Sequence, residues 1–582
     1  MKRPLGQKRW RVLPCDRIAA DQLQLDTGLH PIIATLLVQR GITTSEAANE
    51  FLDPSLSRLH DPFLLPDAEV ACERLKLALK NREKILVYGD YDSDGVTSAA
   101  LWTRTLRSLG GIVDVFVPHR KRDGYDMRNA GVDQAKAKGV SLIVTTDCGI
   151  QRVDEVEYAR ENGIDVIITD HHTPNSSGNL PKAVAVVNPH RKDSIYPFPD
   201  LAGVGVAFKM GEALTRSLGY SVDSFRRSYL DLATIGTVTD IMPLVGENRI
   251  IVKHGLEALQ NTKKPGLRAL LEIAGYKEKT LDTRSIGFGI GPRLNAASRV
   301  DETQHALDLL LTKDDAEAQM LATRLNDLNT TRREITTKIV EEAMEQIASQ
   351  GMHESKCLVL HGSGWPSGIV GLVASQVVKQ FNRPCIVISM NEATGVGKGS
   401  ARSIHPFNVF NAIDKCQPLL NEYGGHAYAA GLSINKESLE DFRDQMNHLA
   451  NAELADEDLL PSIDVAAEIS PDEITPQLLE ELERMAPFGS GNHEPLFASR
   501  SVGLNNVLRL GAEKQHLKLM LRMEGVNRYD QVDGLWWNMA ESYGDVLESG
   551  MSLDVCYAPQ FNFWNGKRSI QVKIEDVKPP EW

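Results

Sequence analysis

The stretch "VYGDYDSDGVTS" (residues 87–98) carries three aspartates at alternating positions, Asp90, Asp92 and Asp94. The same spacing opens an EF-hand calcium loop, but that loop needs a bidentate Glu at its twelfth position, where this chain has Leu101. The preceding run "KILVYG" predicts a buried strand, whereas an EF-hand loop follows a helix, and a helical pattern comes next. The order strand, acidic turn, helix therefore predicts carboxylates at the carboxyl end of a strand, where parallel sheets carry their sites.

Four further strand-like runs follow, separated by helical stretches, and this alternation predicts a mostly parallel sheet. "VSLIVTTDCGI" ends in Asp147, and "IDVIITDHHTP" ends in Asp170, His171 and His172. A single Asp after a strand is more often a helix N-cap. So many carboxylates and imidazoles at one sheet edge would repel one another unless cations neutralised them. Oxygen ligands with imidazole suit Mn²⁺ or Mg²⁺, and the histidines favour Mn²⁺.

Composition sets wider bounds. At 582 residues the chain should divide into about three or four domains. No apolar run is long enough to span a bilayer, and the N-terminus has no apolar signal region, so neither a membrane anchor nor secretion is expected. Seven cysteines without a CxxC pair favour a reducing cytoplasm. The net charge of −14 is weak evidence about a nucleic-acid partner, because binding depends on local patches.

Three motifs, "DYDSDG", "TTDCG" and "TDHH", resemble the signature motifs of the DHH phosphoesterase superfamily. "LATIGTVTDIMPL" resembles the fourth motif of that superfamily, which implies that Asp240 is another ligand. With "GFGIGPRLNAASR", "GWPSGIVGLVAS", "GSARSI", "GGHAYAAG" and "APFGSGNHEPLF", the set resembles the bacterial RecJ single-strand-specific DNA exonucleases over nearly the whole chain. One departure is Pro366, where that family usually has His.

Residues and resemblance together predict an α/β protein. A parallel-sheet DHH domain is joined by a long helix to a second α/β domain, the DHH-associated domain, and an OB-like β-barrel follows. Unbroken helical periodicity over residues 316–350 supports the long helix. The expected boundaries are 1–78 for an N-terminal helical region, 79–300 for the DHH domain, 301–351 for the connecting helix, 352–453 for the DHH-associated domain and 454–582 for the barrel.

The resemblance implies two ions, Mn²⁺ or Mg²⁺, that hold a phosphodiester and activate a water for in-line attack. The metal ligands would be Asp90, Asp92, Asp94, Asp147, Asp170, His171 and Asp240. The catalytic residues would be Asp92, Asp94, Asp147, His171 and His172. Asp147, central among the strand ends, is the candidate to bridge the ions. His172 ligates a metal, supports the ligands from outside the coordination sphere, or contacts the scissile phosphate. Substrate-binding roles are implied for Arg293, Ser400 and Arg402 at a 5′ phosphate and for His426 beside the substrate backbone.

The predicted function is a metal-dependent 5′-to-3′ exonuclease that degrades single-stranded DNA to mononucleotides in repair and recombination. A DHH phosphodiesterase acting on oligoribonucleotides or cyclic dinucleotides is the first alternative, and a non-catalytic single-strand-binding subunit is the second. The family implies a single-strand-binding protein and a helicase as partners, and a monomer is expected. Aromatic side chains of the barrel segment, such as Trp537 and Phe563, would either stack on bases or fill the barrel core.

Overall fold

The computed structural model describes residues 5–6, 8–119, 124, 126–175, 178–300, 303–523, 525–526, 530–564 and 566–580. For residues 564 and 567 it describes the backbone but not the side chain. The basic run "HRKRDGYDMR" (residues 119–128) is a candidate for guiding a strand toward the metals, and its residues 120–123 and 125 lie outside the described residues. The α-helices, in chain order, are α1 Arg17–Thr27, α2 Pro31–Gln39, α3 Ser45–Leu52, α4 Ala68–Asn81, α5 Ser93–Ser108, α6 Asn129–Ala137, α7 Val153–Glu161, α8 Gly203–Ser217, α9 Val222–Thr239, α10 Gly246–Gln260, α11 Pro265–Ile273, α12 Gly291–Val300, α13 Gln304–Leu311, α14 Asp315–Ser349, α15 Val370–Phe381, α16 Val409–Asp414, α17 Leu439–Glu453, α18 Pro476–Met485 and α19 Ala540–Tyr543.

The strands, in chain order, are β1 Arg9–Val12, β2 Lys84–Gly89, β3 Ile112–Phe116, β4 Leu142–Thr146, β5 Asp165–Thr169, β6 Ala185–Val187, β7 Leu358–Ser363, β8 Cys385–Met390, β9 Val396–Arg402, β10 Leu420–His426, β11 Ala429–Asn435, β12 Ser462–Val465, β13 Ala467–Glu468, β14 Phe497–Leu510, β15 His516–Arg522, β16 Gln531–Trp536, β17 Ser552–Trp564 and β18 Lys567–Lys578.

The chain forms two compact units. The parallel-sheet unit comprises Pro54–Ile335 with Pro487–His493, and the barrel unit comprises Met1–Asp53, Thr336–Ala486 and Glu494–Trp582.

The parallel-sheet unit is built on five parallel strands in the order β3-β2-β4-β5-β6. Alternate residues of these strands are buried in different cores. Ile85 and Val87 pack in the core that contains the α5, α8 and α9 side chains, and Leu86 and Tyr88 pack in the core with α6 and α7. Burial on both faces explains why the strands are continuous apolar runs in the sequence.

Strand register positions the polar side chains at one edge of this sheet. Gly89 of β2 pairs with Thr146 of β4, which pairs with Thr169 of β5, which pairs with Val187 of β6. The next residue in each strand is therefore Asp90, Asp147, Asp170 or Asn188. The carboxyl ends of neighbouring strands thus deliver their first polar residues side by side.

The barrel unit contains two further sheets. One is mixed, in the order β10-β11-β9-β8-β7, with only β7 and β8 parallel among these strands. In the other, β14 pairs with both β15 and β17, so that β14, β15, β16, β18 and β17 close into a five-stranded barrel. A separate parallel pair joins β1 to β12. The predicted fold class is confirmed, including the long helix α14 and the C-terminal barrel.

The segment predicted as one connecting helix, 301–351, contains two helices among its described residues: α13 and, after a short break at Thr312–Asp314, the long α14. Over the part of the chain that the structure describes, no helix is long and apolar enough to cross a membrane.

Candidate metal centre

The acidic turn after β2 is held in place by the first turn of α5 and by the start of helix α8. Asp92 is the N-cap of α5, and its Oδ1 accepts hydrogen bonds from Asp94 N at 2.9 Å and Gly95 N at 3.1 Å. The Asp94 carboxylate accepts from Gly203 N at 2.7 Å and Val204 N at 2.9 Å, at the start of α8. Amides at helix N-termini stabilise anions, so both carboxylates have fixed positions.

Asp147 lies at the centre of the site in an unusual conformation. Its φ is 61°, in the left-handed region that Asp and Asn tolerate better than most residues, and it is 3% exposed. Its Oδ1 is buried and accepts no hydrogen bond from any residue that the structure describes, and the same holds for Asp90 Oδ1. A buried carboxylate oxygen without a donor is costly, and a cation would satisfy both atoms.

Three overlapping groups of side chains bring their ligand atoms within 4.8 Å of one another, and they share members: Asp147, His171 and His172; Asp94, His171 and Asp240; and Asp90, Asp92 and Asp147. Asp147 belongs to two of these groups. The structure thus brings together Asp90, Asp92, Asp94, Asp147, His171, His172 and Asp240 in one cluster.

The two histidines differ in environment. His171 Nε2 lies 3.1 Å from Asp147 Oδ1 and 3.7 Å from Asp240 Oδ2. Burial, followed by the charge of His172, lowers the pKa of His171 to about 4. A neutral imidazole is the form that binds metal, so His171 suits a ligand.

His172 is more open, with 40% of its side chain exposed, and its Nδ1 lies 2.8 Å from Asp170 Oδ1. Burial lowers its pKa, but the hydrogen bond and charge of Asp170 outweigh burial and raise the pKa to about 9. Among the roles predicted for His172, a half-exposed imidazolium favours contact with a phosphate oxygen.

Asp170 belongs to none of the three groups among the described residues. Its Oδ1 accepts from the backbone N–H groups of His171 and His172 as well as facing the His172 ring, and its Oδ2 accepts from Ile150 N at 2.9 Å. With both oxygens engaged, the side chain orients His172. Direct ligation of a metal by Asp170, which the resemblance implies, stays a prediction.

The remaining carboxylates are electrostatically strained without a cation. Burial, followed by the neighbouring carboxylates, raises the pKa of Asp94 to about 7 and of Asp240 to about 8. The same causes raise the pKa of Asp147 well above its usual range. These oxygen donors, one neutral imidazole and two unsatisfied buried oxygens fit divalent Mn²⁺ or Mg²⁺.

Sequence reasoning missed the residues that support this cluster. A Cβ on Gly203 would lie 2.6 Å from Asp147 Oδ1, and one on Gly236 would lie 2.5 Å from Asp94 Oδ1, so α8 and α9 approach the carboxylates only through glycine. Asn295 of α12 accepts a hydrogen bond from Ser93 N at 2.9 Å. The glycines of "LAGVG" (residues 201–205) and of "LATIGTVTDIMPL" were visible in the sequence, but glycine spacing alone does not indicate what the backbone approaches.

Of the predicted phosphate ligands, Arg293 lies in the parallel-sheet unit. Its Nη1 donates to Gly289 O at 2.7 Å and its Nε to Asn326 Oδ1 at 3.1 Å, so neither donor is engaged by a carboxylate. Burial lowers its pKa. The side chain keeps donors for an anion.

The other three predicted ligands lie in the mixed sheet of the barrel unit. Arg402 Nη1 donates to Ser400 Oγ at 3.0 Å, and a Cβ on Gly371, near the start of α15, would lie 3.0 Å from Ser400 Oγ and 3.2 Å from Arg402 Nη2. His426 is exposed and lies in the same cross-strand row as Arg402, since both residues pair with Ala429. A hydroxyl, a guanidinium and a helix N-terminus therefore meet at one place.

Family models match three segments of the chain: the DHH family N-terminal domain at 84–237, the DHHA1 domain at 354–452 and the RecJ OB domain at 465–576. A parallel sheet with this carboxylate and histidine cluster at its edge defines a phosphoesterase of the DHH family.

The chain is 37% identical to the single-stranded-DNA-specific exonuclease RecJ of Bacillus subtilis over 577 residues, which cover 99% of this chain and 72% of that protein. It is 35% identical to the RecJ exonuclease of Escherichia coli, over 95% of this chain and 97% of that protein. The chain belongs to the RecJ family of single-stranded-DNA-specific exonucleases.

A solved structure agrees with this assignment. The crystal structure of RecJ from Thermus thermophilus in complex with Mn²⁺ matches with a TM-score of 0.83 and 32% identity, over 99% of this chain and 80% of that chain. The predicted family is therefore confirmed.

Proposed function

We propose that this protein hydrolyses single-stranded DNA from its 5′ end, releasing mononucleotides, with two divalent cations held at the edge of the parallel sheet. The observation that carries the proposal is the pair of buried, unsatisfied carboxylate oxygens on Asp90 and Asp147 inside overlapping ligand groups. Crystal structures of RecJ from Thermus thermophilus in complex with Mn²⁺ and with Mg²⁺ support either of these cations.

Each side chain has a defined part in this scheme. Asp90, Asp92, Asp94, Asp147, His171 and Asp240 would hold the two ions, and Asp147, a member of two of the three ligand groups, would be the carboxylate shared between them. Bound cations of this kind lower the pKa of a ligated water and stabilise charge on the phosphoryl oxygens. His172, kept protonated and oriented by Asp170, would donate a hydrogen bond to the scissile phosphate.

End selection requires a group that recognises a terminal phosphate. Within the barrel unit, Ser400 and Arg402 with the start of α15 supply hydroxyl, guanidinium and amide donors suited to a phosphate dianion. Within the parallel-sheet unit, Arg293 is proposed as a phosphate ligand from the family resemblance, and its guanidinium is oriented by Gly289 O. His426, exposed in the Arg402 row, is proposed to lie by the substrate backbone.

The barrel offers a surface for the rest of the strand. Trp537 is 50% exposed and Phe563 is 70% exposed, so neither fills the barrel core. The Arg568 guanidinium lies 3.4 Å from the Phe561 ring centroid, which adds a cation beside the aromatic rings. Bases stack on such surfaces without sequence preference.

A cytoplasmic location is proposed because all seven cysteines are free thiols, as a reducing compartment requires. A role in DNA repair and recombination, alongside a single-strand-binding protein and a helicase, is proposed from the family.

The test is digestion of one single strand labelled at either end, with Mn²⁺ or EDTA. The 5′-labelled strand should release labelled mononucleotide at once, while the 3′-labelled strand shortens gradually, and EDTA should abolish both reactions. Asp147→Asn should be inactive, whereas the matched control Asp154→Asn, at an exposed aspartate of α7, should retain activity. Immediate loss of the 3′ label would overturn the polarity, and tight binding without hydrolysis in any divalent metal would favour a binding subunit.

A second experiment isolates end recognition. Arg402→Gln should reduce the preference for a 5′-phosphorylated over a 5′-hydroxyl strand, mainly by raising KM. An unchanged preference would argue against the Ser400–Arg402 pocket.

A further inference from the structure

The parallel-sheet unit contains a strongly basic pocket, away from the carboxylate cluster. It has a volume of about 750 Å³ and is lined by the later part of α5, the first half of α9, the connection between α10 and α11, and the residues between α13 and α14. Its charged side chains are Arg104, Arg227, Lys263, Lys264, Lys313 and Asp231.

The single carboxylate of the pocket is already engaged. Lys264 Nζ lies 2.8 Å from both Asp231 oxygens, and Thr262 Oγ1 donates to Asp231 Oδ2 at 2.7 Å. The other four cations make no ion pair with a described residue, so the pocket carries uncompensated positive charge in a chain of net charge −14.

The Arg104 side chain of the pocket is held by hydrogen bonds to two backbone carbonyls. Its Nε donates to Leu310 O at 2.8 Å and its Nη2 to Thr312 O at 3.3 Å, which orients the guanidinium without neutralising it. Burial lowers its pKa. A guanidinium has five N–H donors, so several remain for an anion.

Helix geometry separates this pocket from the metal centre. Arg104 lies ten residues after Asp94 on α5, and Asp231 lies nine residues before Asp240 on α9. At 1.5 Å per residue, both helices place the pocket about 15 Å from the carboxylates. Phosphate bound by the metal centre cannot also fill this pocket.

We propose that this pocket binds a multiply charged phosphoanion. Four cations without an acidic partner, one of them an oriented guanidinium, match several phosphate oxygens, and the volume lies within the range of small-ligand sites. The same chemistry occurs in a free nucleoside polyphosphate and in neighbouring phosphates of a DNA backbone.

The probe is inorganic triphosphate, titrated into the full chain in EDTA by calorimetry. Lys263→Gln/Lys313→Gln should weaken binding by about tenfold, because two charge-assisted contacts are lost. The matched control, Lys76→Gln/Lys80→Gln on α4, removes the same charge elsewhere on the unit and should bind like the wild type. Both variants retain the Ser400–Arg402 pocket, so the difference between them reports the basic pocket alone.

A 5′-hydroxyl single strand then distinguishes the sources. If the pocket binds a free nucleotide, the two double variants should bind the DNA strand with equal affinity. A backbone site lowers it in Lys263→Gln/Lys313→Gln and reduces the slope of log K against log salt by about one to two. Equal triphosphate affinity in the two variants, or no binding to the wild type, would overturn the proposal.

Discussion

At the scale of single residues, Asp147 combines a buried charge with a left-handed backbone conformation. Asn tolerates that conformation and carries no charge, so Asp147→Asn removes repulsion without backbone strain. We expect the metal-free variant to be at least as stable as the wild type, while the increase in Tm on adding Mn²⁺ is largely lost. Thermal unfolding with and without Mn²⁺ tests this prediction, and a clearly lower Tm in EDTA would contradict it.

The raised pKa values of Asp94 and Asp240 give a pH dependence with a definite sign. Both carboxyls bind protons more tightly in the folded than in the unfolded state, so their contribution to stability is present below about pH 4 and is lost as pH rises through about 7 to 8. The Tm of the metal-free protein should therefore fall between about pH 4 and pH 8 and level off above that range.

Mn²⁺ competes with those protons, so the Tm increase that it causes should grow over the same interval. Asp240→Asn provides the control, because it should flatten the slope of Tm against pH in EDTA. Parallel slopes for the wild type and the variant would rule out this origin of the pH dependence.

At the scale of elements, Asp92 connects the metal cluster to helix α5. Asn is as good an N-cap as Asp, whereas Ala is a poor one. We expect Asp92→Asn and Asp92→Ala to lose activity alike. Asp92→Ala should unfold at a lower urea concentration, because its free energy of unfolding should be about 1 kcal/mol below that of Asp92→Asn. Equal stability in EDTA would indicate that the hydrogen bonds to Asp94 N and Gly95 N contribute little.

Helix α8, which presents Gly203 and Val204 to Asp94, is fixed by a buried ion pair. Lys209 Nζ lies 2.9 Å from Glu247 Oε1 of α10, and both side chains are almost fully buried. Lys209→Met should lower the free energy of unfolding by about 3–5 kcal/mol, because the Glu247 carboxylate stays buried without its cation. Lys209→Met/Glu247→Leu should recover much of that stability. Urea unfolding of the single and double variants measures the coupling, and additive effects would show that the pair is weakly coupled.

The strands and the acidic strand ends were predictable because apolar runs followed by Asp or His are local features. Their convergence also followed, since parallel strands end at one sheet edge. The hydrogen bonds of Asp170 were not predictable, because only the folded backbone places the N–H groups that both its oxygens accept from. Lys209 gave no signal either, since a lysine within a helix is normally exposed and its partner lies 38 residues away.

At the scale of the whole molecule, the N-terminal residues belong to the barrel unit. Strand β1 pairs in parallel with β12, about 450 residues later, and Trp10 Nε1 donates to Asp576 Oδ2 of β18 at 2.8 Å. No local pattern indicates such a pairing, and the sequence predicted only helices for the N-terminal region. The contacts make β1 a structural part of the barrel unit.

Deleting residues 1–13 should therefore loosen the barrel unit and leave the metal-binding sheet intact. Hydrogen exchange should accelerate in β12, which loses its parallel partner, and in β18 around Asp576, whereas β2, β4 and β5 should exchange as before. Trp10→Phe is the matched control: it removes the hydrogen bond to Asp576 but keeps β1 paired with β12, so exchange should rise in β18 more than in β12. Unchanged protection of β12 in the deletion variant would show that β1 does not stabilise its partner, and faster exchange in β2 would show that the two units do not open independently.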